Sequence, residues 1–230
     1  MDKKKLGIIG GMGPLATAYF YEKIVERTEA SCDQDNIVTY IISDPEIPKR
    51  MEYILGESEL SPGPHMSDIA VKLQDMGADI IVMPCVTAHF FYKEISEKLT
   101  VRMLNILDET TVVLKDRGIK SAGILATRAT IKSGILQNAL EEGGIASVTP
   151  DEAEAEEISR IIFSEIKTGK RADLDSLYRI MDNMRDRGAE TCLIACTDLS
   201  AALGGSREGK FTDLLDILAD ASVRECLSNN

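Results

Sequence analysis

The hydrophobic pattern of the chain alternates between short apolar runs and longer amphipathic segments. The runs have the length of buried strands and end at glycine, proline or charged residues, whereas the amphipathic segments have helical spacing. The predicted strands are residues 5–9, 37–42, 80–83, 105–106, 122–125 and 191–195. The predicted helices are residues 14–28, 65–76, 110–117, 173–187 and 214–226, with another opened by the acidic run 151–157. This alternation predicts an α/β fold with parallel sheets.

One strand-and-turn unit occurs twice in the sequence. Gly77 precedes Cys85 by eight residues, Gly188 precedes Cys196 by the same offset, and each glycine is followed by alanine. Both cysteines come directly after an apolar run that reads as a buried parallel strand. Open α/β sheets bind ligands at the carboxyl ends of their strands. Each copy of the unit is therefore expected to present a thiol where a ligand binds.

The second half of the chain restarts the pattern of the first. Residues 122–125 mirror residues 6–9, and a hydroxyl-containing turn replaces a glycine-rich one. We therefore expect two similar α/β domains. The first comprises residues 1–116 and is closed by the C-terminal segment 208–230, and the second comprises residues 117–207.

The glycine-rich turn after the first predicted strand has two interpretations. Pro14 suits the first position of a helix, and bare backbone N–H groups at a helix N-terminus can bind an anion. Gly11, Gly13 and Ala16 also fit a dinucleotide-binding fingerprint. The acidic residue that binds the ribose should follow by about 20 residues, but the first candidate, Asp44, lies 33 residues after Gly11. The spacing therefore does not match the fingerprint in full, and a nucleotide-binding oxidoreductase is kept as an alternative function.

The charge balance limits the partners of the protein. The 230 residues carry a net charge of −12, which argues against a nucleic-acid partner because such partners need a basic surface. An anionic substrate would need a local positive site. Arg50, after the second predicted strand, and Lys167, near the end of a predicted helix, are candidate cations. Alone, each would also fit an ordinary surface residue.

Cysteine usage indicates the compartment. The number of cysteines, five, is odd and their spacing is wide, which argues against a disulfide framework. With two histidines in the chain, Cys192 and Cys196 have no second ligand pair for a metal. Reduced thiols predict a cytoplasmic protein. The N-terminus imitates a signal peptide, but glycines and Pro14 interrupt its apolar stretch, and no run is long enough to span a membrane.

Several side chains near the predicted strand ends suit proton transfer. If a pseudo-twofold relates the two halves, Cys85 and Cys196 face one crevice, where thiols can serve as both acid and base. Thr127 and Thr130 either bind an anion or simply cap a helix. His89 either keeps a thiolate available or makes local hydrogen bonds. No lysine lies in a recognisable cofactor context, so a pyridoxal-type cofactor is not indicated.

Six short motifs are more informative together than any one of them alone. They are Gly10-Gly11-Met12-Gly13-Pro14, Ile47-Pro48-x-Arg50, Tyr53-Ile54-Leu55-Gly56, Met83-Pro84-Cys85-x-Thr87-Ala88-His89, Leu125-Ala126-Thr127-x-x-Thr130 and Cys196-Thr197-Asp198. With this combination the sequence resembles the aspartate/glutamate racemase superfamily, specifically its aspartate racemase branch, over nearly its whole length.

The resemblance implies a fold, an activity and a set of site residues. It implies two Rossmann-like domains with the active site in the cleft between them, no cofactor, a homodimer, and a small dicarboxylic amino acid as substrate. Cys85 and Cys196 would be the two catalytic acid/base thiols, and Arg50 and Lys167 would contact the substrate's carboxylates. The full set of substrate-binding residues would be Met12, Arg50, Val86, Thr87, Thr127, Thr130, Lys167 and Thr197. His89 and Asp198 would support the site.

The chain departs from the family pattern at three positions. Val86 replaces an asparagine whose amide is expected to bind the substrate's α-carboxylate. Ala195 replaces a glycine, and Asp198 replaces a glutamate on a longer arm. A hydrogen bond to a charged group contributes about 1.5–3 kcal/mol, so the change at Val86 predicts weaker racemisation or a different substrate group at that point.

Three functions follow from these observations. We favour a racemase that acts on aspartate or glutamate by two-base proton transfer. A relative of the same fold that isomerises or decarboxylates another dicarboxylic acid is the second, because of Val86. The third is a nucleotide-binding oxidoreductase or a non-catalytic ligand-binding protein.

Overall fold

Two parallel β-sheets form the framework of the protein in the computed structural model, which describes residues 3–204 and 211–228. The strands of the first sheet are β1 (Leu6–Gly10), β2 (Thr39–Ser43), β3 (Ile80–Val82) and β4 (Arg102–Met103). The strands of the second sheet are β5 (Ser121–Leu125), β6 (Ala146–Val148), β7 (Thr191–Ile194) and β8 (Phe211–Asp213). The α/β class predicted from the alternating pattern is confirmed.

Helices connect the strands and flank both sheets. In the first half they are α1 (Pro14–Arg27), α2 (Arg50–Leu55), α3 (Gly63–Asp75), α4 (Tyr92–Ser96) and α5 (Ile106–Asp116). In the second half they are α6 (Arg128–Ser133), α7 (Ile135–Glu142), α8 (Glu152–Arg160), α9 (Leu174–Asp186), α10 (Thr197–Leu203) and α11 (Leu214–Leu227). Short 3₁₀ turns occur at Asp33–Asp35, Thr87–Phe91 and Ile166–Thr168, and a π-helical turn at Ile161–Glu165.

The two sheets share one topology. The strand order is β2-β1-β3-β4 in the first sheet and β6-β5-β7-β8 in the second, and all neighbours are parallel. Strand β1 is buried along its whole length, as expected for a parallel strand covered by helices on both faces. From β1 the chain passes to β2 on one side of β1 and then crosses to β3 on the other side of β1. Such a reversal of strand order opens a crevice at the carboxyl ends of β1 and β3, and equally of β5 and β7.

The fourth strand differs from the sequence prediction. A strand was expected at residues 105–106 and a helix from residue 110, whereas β4 ends at Met103 and α5 begins at Ile106. The side chain of Asn105 accepts a hydrogen bond from the backbone N–H of Leu107 at 3.0 Å. Asparagine is among the preferred N-cap residues. The prediction was wrong because it assigned Asn105 and Ile106 to a strand, whereas Asn105 caps the helix that begins at Ile106.

The acidic run that follows β6 opens a helix as predicted. The carboxylate of Asp151 accepts a hydrogen bond from the backbone N–H of Glu154 at 2.9 Å, and the carboxylate of Glu154 accepts one from the N–H of Asp151 at 3.0 Å. This reciprocal capping box satisfies two donors that a helix N-terminus otherwise leaves unpaired. It fixes the start of α8, whose continuation carries Lys167 toward the crevice.

The C-terminal helix joins the two halves. Helix α11 packs against α1 and α5, while β8, directly before it, pairs with β7 in the second sheet. One hydrophobic cluster contains Ile8 of β1, Ile124 of β5 and Leu215 of α11. The boundary expected between residues 207 and 208 lies outside the described residues, and the division into two domains stays a prediction.

The helices have lengths that are ordinary for globular proteins. The longest α-helices in the described part of the chain, α1 and α11, contain 14 residues each. Across residues 3–204 and 211–228, no helix has both the length and the apolar character needed to cross a membrane.

Candidate active site

The turns after four equivalent strands meet in one place. The glycine-rich turn follows β1, Cys85 follows β3, Thr127 follows β5, and Cys196 follows β7. A cavity of about 70 Å³ is lined by residues from all four turns. Pockets for drug-sized ligands measure roughly 300–1,000 Å³, so this cavity has the scale of a small metabolite and is far too small for a dinucleotide.

Most residues predicted for the site line this cavity. The lining consists of Met12, Arg50, Met51, Cys85, Val86, Thr87, Thr127, Phe163, Lys167, Ala195, Cys196, Thr197 and Asp198. Every residue that the sequence singled out is among them except Thr130 and His89, which contact lining residues from behind. The topology therefore brings together side chains that are up to 186 positions apart, from Met12 to Asp198.

The two thiols occupy matching positions after β3 and β7. The exposed fraction is 6% for Cys85 and 7% for Cys196, so each is almost enclosed while still lining the cavity. Burial raises the pKa of the Cys196 thiol to about 12, and the nearby carboxylate of Asp198 acts in the same direction. Backbone N–H groups of Asp198 and Leu199 and the ammonium of Lys167 oppose this shift. The net effect of these surroundings is a pKa of Cys196 above that of an ordinary thiol.

The two cations of the cavity have different surroundings. The Arg50 guanidinium donates through Nη1 to the backbone carbonyls of Ile47 and Pro48, both at 3.2 Å, and no carboxylate among the described residues pairs with it. Lys167 instead forms an ion pair with Asp198, with 2.7 Å between Nζ and Oδ2. The three charged groups that line the cavity carry a net charge of +1. The sequence did not predict the Lys167–Asp198 pair, because nothing in the spacing brings residues 31 positions apart together.

Three threonine hydroxyls form a closed triangle between the two halves. The Oγ1 atom of Thr87 lies 3.2 Å from that of Thr127 and 2.7 Å from that of Thr130, and the last two are 3.1 Å apart. Thr127 also caps α6 by accepting from the backbone N–H of Thr130. We call these three side chains the hydroxyl triangle. Helix capping by Thr127 is therefore confirmed; the residue also lines the cavity, and its binding of an anion stays a prediction.

Each glycine in the turn after β1 has a local structural cause. A Cβ atom at Gly10 would lie 2.5 Å from the Thr17 side chain, and Gly11, with φ of +91°, packs against the backbone of Asp44. A Cβ atom at Gly13 would lie 3.2 Å from Asp198 Oδ1. The carboxylate of Asp44 accepts from the backbone N–H of Glu46 and pairs with a histidine ring. Close packing of the turn against Thr17, Asp44 and Asp198 therefore accounts for its glycines.

The ring of His89 supports the backbone after β3. Its Nε2 atom accepts a hydrogen bond from the N–H of Ile106 at 3.2 Å, so its Nδ1 atom donates to the carbonyl of Cys85 at 2.9 Å. Burial lowers the pKa of His89 from 6.5 to about 4, which keeps the ring neutral near pH 7. Of the two interpretations of His89, local hydrogen bonding is therefore the one that the geometry supports.

Two lining residues, Met51 and Phe163, were missed by sequence reasoning, and a third, Ala195, had been noted only as a departure from the family pattern. Phe163 precedes Lys167 by four residues, a spacing that places two side chains on one helical face. That spacing was a usable signal, as was the position of Met51 directly after Arg50. Together with Met12 and Val86, these side chains give the cavity an apolar wall beside its charged groups.

Comparison with known proteins connects this site to one family. A family profile described as Asp/Glu/Hydantoin racemase matches residues 9–218. The broad specificity amino-acid racemase RacX of Bacillus subtilis (strain 168) is 30% identical over 202 residues, covering 86% of this chain and 87% of RacX.

Solved structures agree with the sequence match. Picrophilus torridus aspartate racemase has a TM-score of 0.84 at 32% identity, covering 96% of this chain and 93% of its own. Glutamate racemase from Francisella tularensis subsp. tularensis SCHU S4, in complex with D-glutamate, has a TM-score of 0.66 at 13% identity, covering 100% and 85%. The second likeness concerns the fold alone. The chain belongs to the Asp/Glu/hydantoin racemase family and is an amino-acid racemase, an isomerase.

Proposed function

We propose that the enzyme inverts the α-carbon of a small dicarboxylic amino acid, aspartate or glutamate, with Cys85 and Cys196 as the acid and base and with no organic cofactor. The observation that carries this proposal is the convergence of two thiols, from equivalent strand ends of two similar sheets, on one small cavity. Inversion needs a base on one face of the carbon and an acid on the other, because a single base tends to return the proton to the face it left.

The two thiols divide the proton transfers between them. In one direction Cys85 acts as the thiolate that takes the α-proton, and Cys196 donates its own proton to the opposite face of the carbanion. The C–H bond and the Cys196 S–H bond break, while an S–H bond at Cys85 and a new C–H bond form. The high pKa of Cys196 supports its part as the donor in this direction. The reverse direction exchanges the two parts.

Two cations support recognition of two carboxylates. Arg50 lies in the lining with no carboxylate partner among the described residues, and its planar fork suits a bidentate contact with a carboxylate. Lys167 forms an ion pair with Asp198, and because an ammonium has three N–H donors it can contact a substrate carboxylate as well. Hydroxyls of Thr87, Thr127 and Thr197, which also line the cavity, add further donors. Met12, which lines the cavity, and Thr130, whose hydroxyl contacts that of Thr87, complete the proposed substrate site.

A second candidate function is racemisation of a broader set of amino acids. RacX, which covers most of this chain, is described as having broad specificity. Val86 is 2% exposed and apolar, so the wall that would carry the family's asparagine amide offers no hydrogen bond here. Met51 and Phe163 extend this apolar wall. Substrates with an uncharged side chain would lose the contact with Arg50, but their α-carbon would still be accessible to the two thiols.

Three expectations from the sequence remain part of the proposal. We propose a cytoplasmic enzyme, since none of the five cysteines forms a disulfide. We propose a homodimer, a state that exposed apolar side chains on α1, namely Leu15, Tyr21 and Val25, would suit. We also propose the division into residues 1–116 with 208–230 and residues 117–207.

The test is a direct assay of racemisation. The purified enzyme is incubated with each enantiomer of aspartate, glutamate and alanine in deuterated water, and the products are separated by chiral chromatography. We expect inversion of aspartate or glutamate, with solvent deuterium at the α-carbon of the inverted product. Inversion of alanine at a similar rate would favour the broader function. Product without deuterium would contradict the two-thiol mechanism.

A further inference from the structure

The charges that line the cavity match those of a dicarboxylic amino acid one for one. The enzyme supplies two cations, Arg50 and Lys167, and one anion, Asp198. Aspartate and glutamate each carry two carboxylates and one ammonium. The carboxylates account for the two cations, which leaves Asp198 as the complement of the ammonium.

The carboxylate of Asp198 is only half engaged. Its Oδ2 atom lies 2.7 Å from Lys167 Nζ in an ion pair, whereas no donor to Oδ1 exists among residues 3–204 and 211–228. The Asp198 side chain is 10% exposed. A carboxylate at the cavity wall whose Oδ1 atom has no donor in the described part of the chain can accept a hydrogen bond from a ligand, and a charge-assisted bond of this kind is stronger than a neutral one. An ammonium has three N–H donors and the complementary charge.

The neighbouring turn keeps this ion pair in place. A Cβ atom at Gly13 would lie 3.2 Å from Asp198 Oδ1 and 3.5 Å from Lys167 Nζ. The backbone of Gly13, with φ of −108° and ψ of 166°, is in an extended conformation that any residue adopts. Glycine therefore lets the pair lie directly against the turn after β1 without the small shift that a Cβ atom would require of Asp198.

We infer that Asp198 receives the substrate's α-ammonium and thereby makes the site selective for dicarboxylic acids that carry an α-amino group. The inference rests on the proposed function and specifies its substrate class. The ammonium and the α-carboxylate of an amino acid are bonded to the same carbon. A lysine and an aspartate held side by side, as Lys167 and Asp198 are, present the opposite charges to that pair.

The experiment compares two ligands that differ at the ammonium alone. Dissociation constants of equilibrated DL-aspartate and of succinate, which lacks the amino group, are measured by calorimetry for the wild type and for Asp198→Asn. We expect the wild type to prefer aspartate by at least about tenfold, the effect of a hydrogen bond between charged groups. In Asp198→Asn this preference should fall to about twofold or less by the same reasoning, because succinate retains or gains affinity while aspartate loses it.

Control variants separate this function from a structural one. Asp220→Asn removes an exposed carboxylate on α11 that pairs with Arg27, and it should leave the preference intact. Asp198→Glu restores the charge on a longer arm and should restore a preference for aspartate. If Asp198 served only to hold Lys167, aspartate and succinate would weaken by the same factor in Asp198→Asn, and the inference would be overturned.

Two measurements on the wild type keep the outcome decisive if Asp198→Asn does not fold. Equal affinity of the wild type for aspartate and succinate overturns the inference without any variant. Racemisation of aspartate by the same preparation tests the proposed function separately. An enzyme that racemises aspartate but binds succinate equally well retains the proposed function and loses the ammonium site.

Discussion

The turn after β3 and the turn after β7 occupy the same place in two copies of one topology, but their chemistry differs. The first continues from Cys85 into the apolar Val86 and is braced by the neutral ring of His89. The second continues from Cys196 into Asp198, which pairs with Lys167. The repeated backbone supplies two equivalent positions for a thiol. The side chains around these positions differ, so the two thiols have different surroundings. A chiral carbon presents different groups on its two sides, so an asymmetric lining suits it.

The largest effect is expected from removing either thiol. Cys85→Ser and Cys196→Ser should each lower racemisation by at least about a hundredfold, the scale of a general acid or base, because an alcohol is a far poorer base than a thiolate. Chiral chromatography measures the loss. In deuterated water each variant should still exchange the α-proton of one enantiomer, the one that faces the remaining thiol, without inverting it.

The exposed cysteine provides the control for these variants. Cys32 lies outside the cavity, and Cys32→Ser should keep wild-type activity. Wild-type racemisation by either active-site variant would contradict the two-thiol mechanism. Exchange of the same enantiomer by both variants would mean that the two thiols do not face opposite sides of the carbon.

The next effect concerns Arg50, the cavity cation that pairs with no carboxylate among the described residues. Arg50→Lys should lower kcat/KM for aspartate by about 10- to 100-fold, which corresponds to the roughly 1.5–3 kcal/mol of a charge-assisted hydrogen bond. A lysine keeps the charge but loses the planar fork. Lys49→Arg, at an exposed residue that pairs with Glu52, is the matched control. Steady-state kinetics that do not distinguish the two variants would remove Arg50 from the substrate site.

A gain of activity is expected when the first turn is given the family's amide. Val86→Asn should raise turnover or affinity for aspartate by about tenfold, equivalent to about 1.4 kcal/mol. Val86→Thr has a hydroxyl but no amide and should not reproduce the gain. Kinetics are measured together with thermal melting, since a buried amide without a partner lowers stability. Unchanged or reduced turnover in a folded Val86→Asn protein would indicate a site adapted to another substrate group.

The smallest effect is on stability, and it tests the hydrogen bond between the ring of His89 and the carbonyl of Cys85. Burial lowers the pKa of His89 from 6.5 to about 4, so between these pH values the unfolded chain binds a proton that the folded protein does not. The free energy of unfolding should therefore fall as the pH falls from 6.5 to 4, by at most about 1.4 kcal/mol per pH unit. In His89→Gln this contribution disappears, and the stability difference from the wild type should shrink toward low pH.

Chemical denaturation at a series of pH values measures this difference. Burial raises the pKa of Asp213 to about 6, but that carboxyl titrates in both proteins and cancels. Lys49→Arg, which conserves the charge of an exposed side chain, is the control and should keep the wild-type curve. A difference between His89→Gln and the wild type that is constant with pH would show that His89 titrates normally.

The sequence allowed the framework of the site to be predicted, because strand ends and repeated turns are local signals. The positions of Cys85 and Cys196 after equivalent strands followed from periodicity and a shared offset. The start of α5 was missed because Asn105 acts through one hydrogen bond that hydrophobicity does not report. The pairing of Lys167 with Asp198 and the orientation of the His89 ring depend on packing between distant segments, which no local pattern encodes.

The hydroxyl triangle has a consequence for how firmly the site holds what it binds. Each threonine hydroxyl has one proton to donate, and the hydroxyls of Thr87, Thr127 and Thr130 lie within hydrogen-bond distance of one another. An arriving carboxylate must turn them away from their neighbours, so it exchanges existing hydrogen bonds for new ones and gains little net attraction. This corner of the site therefore orients a ligand more than it retains it. For an enzyme whose product differs from its substrate only in handedness, easy departure matters as much as capture.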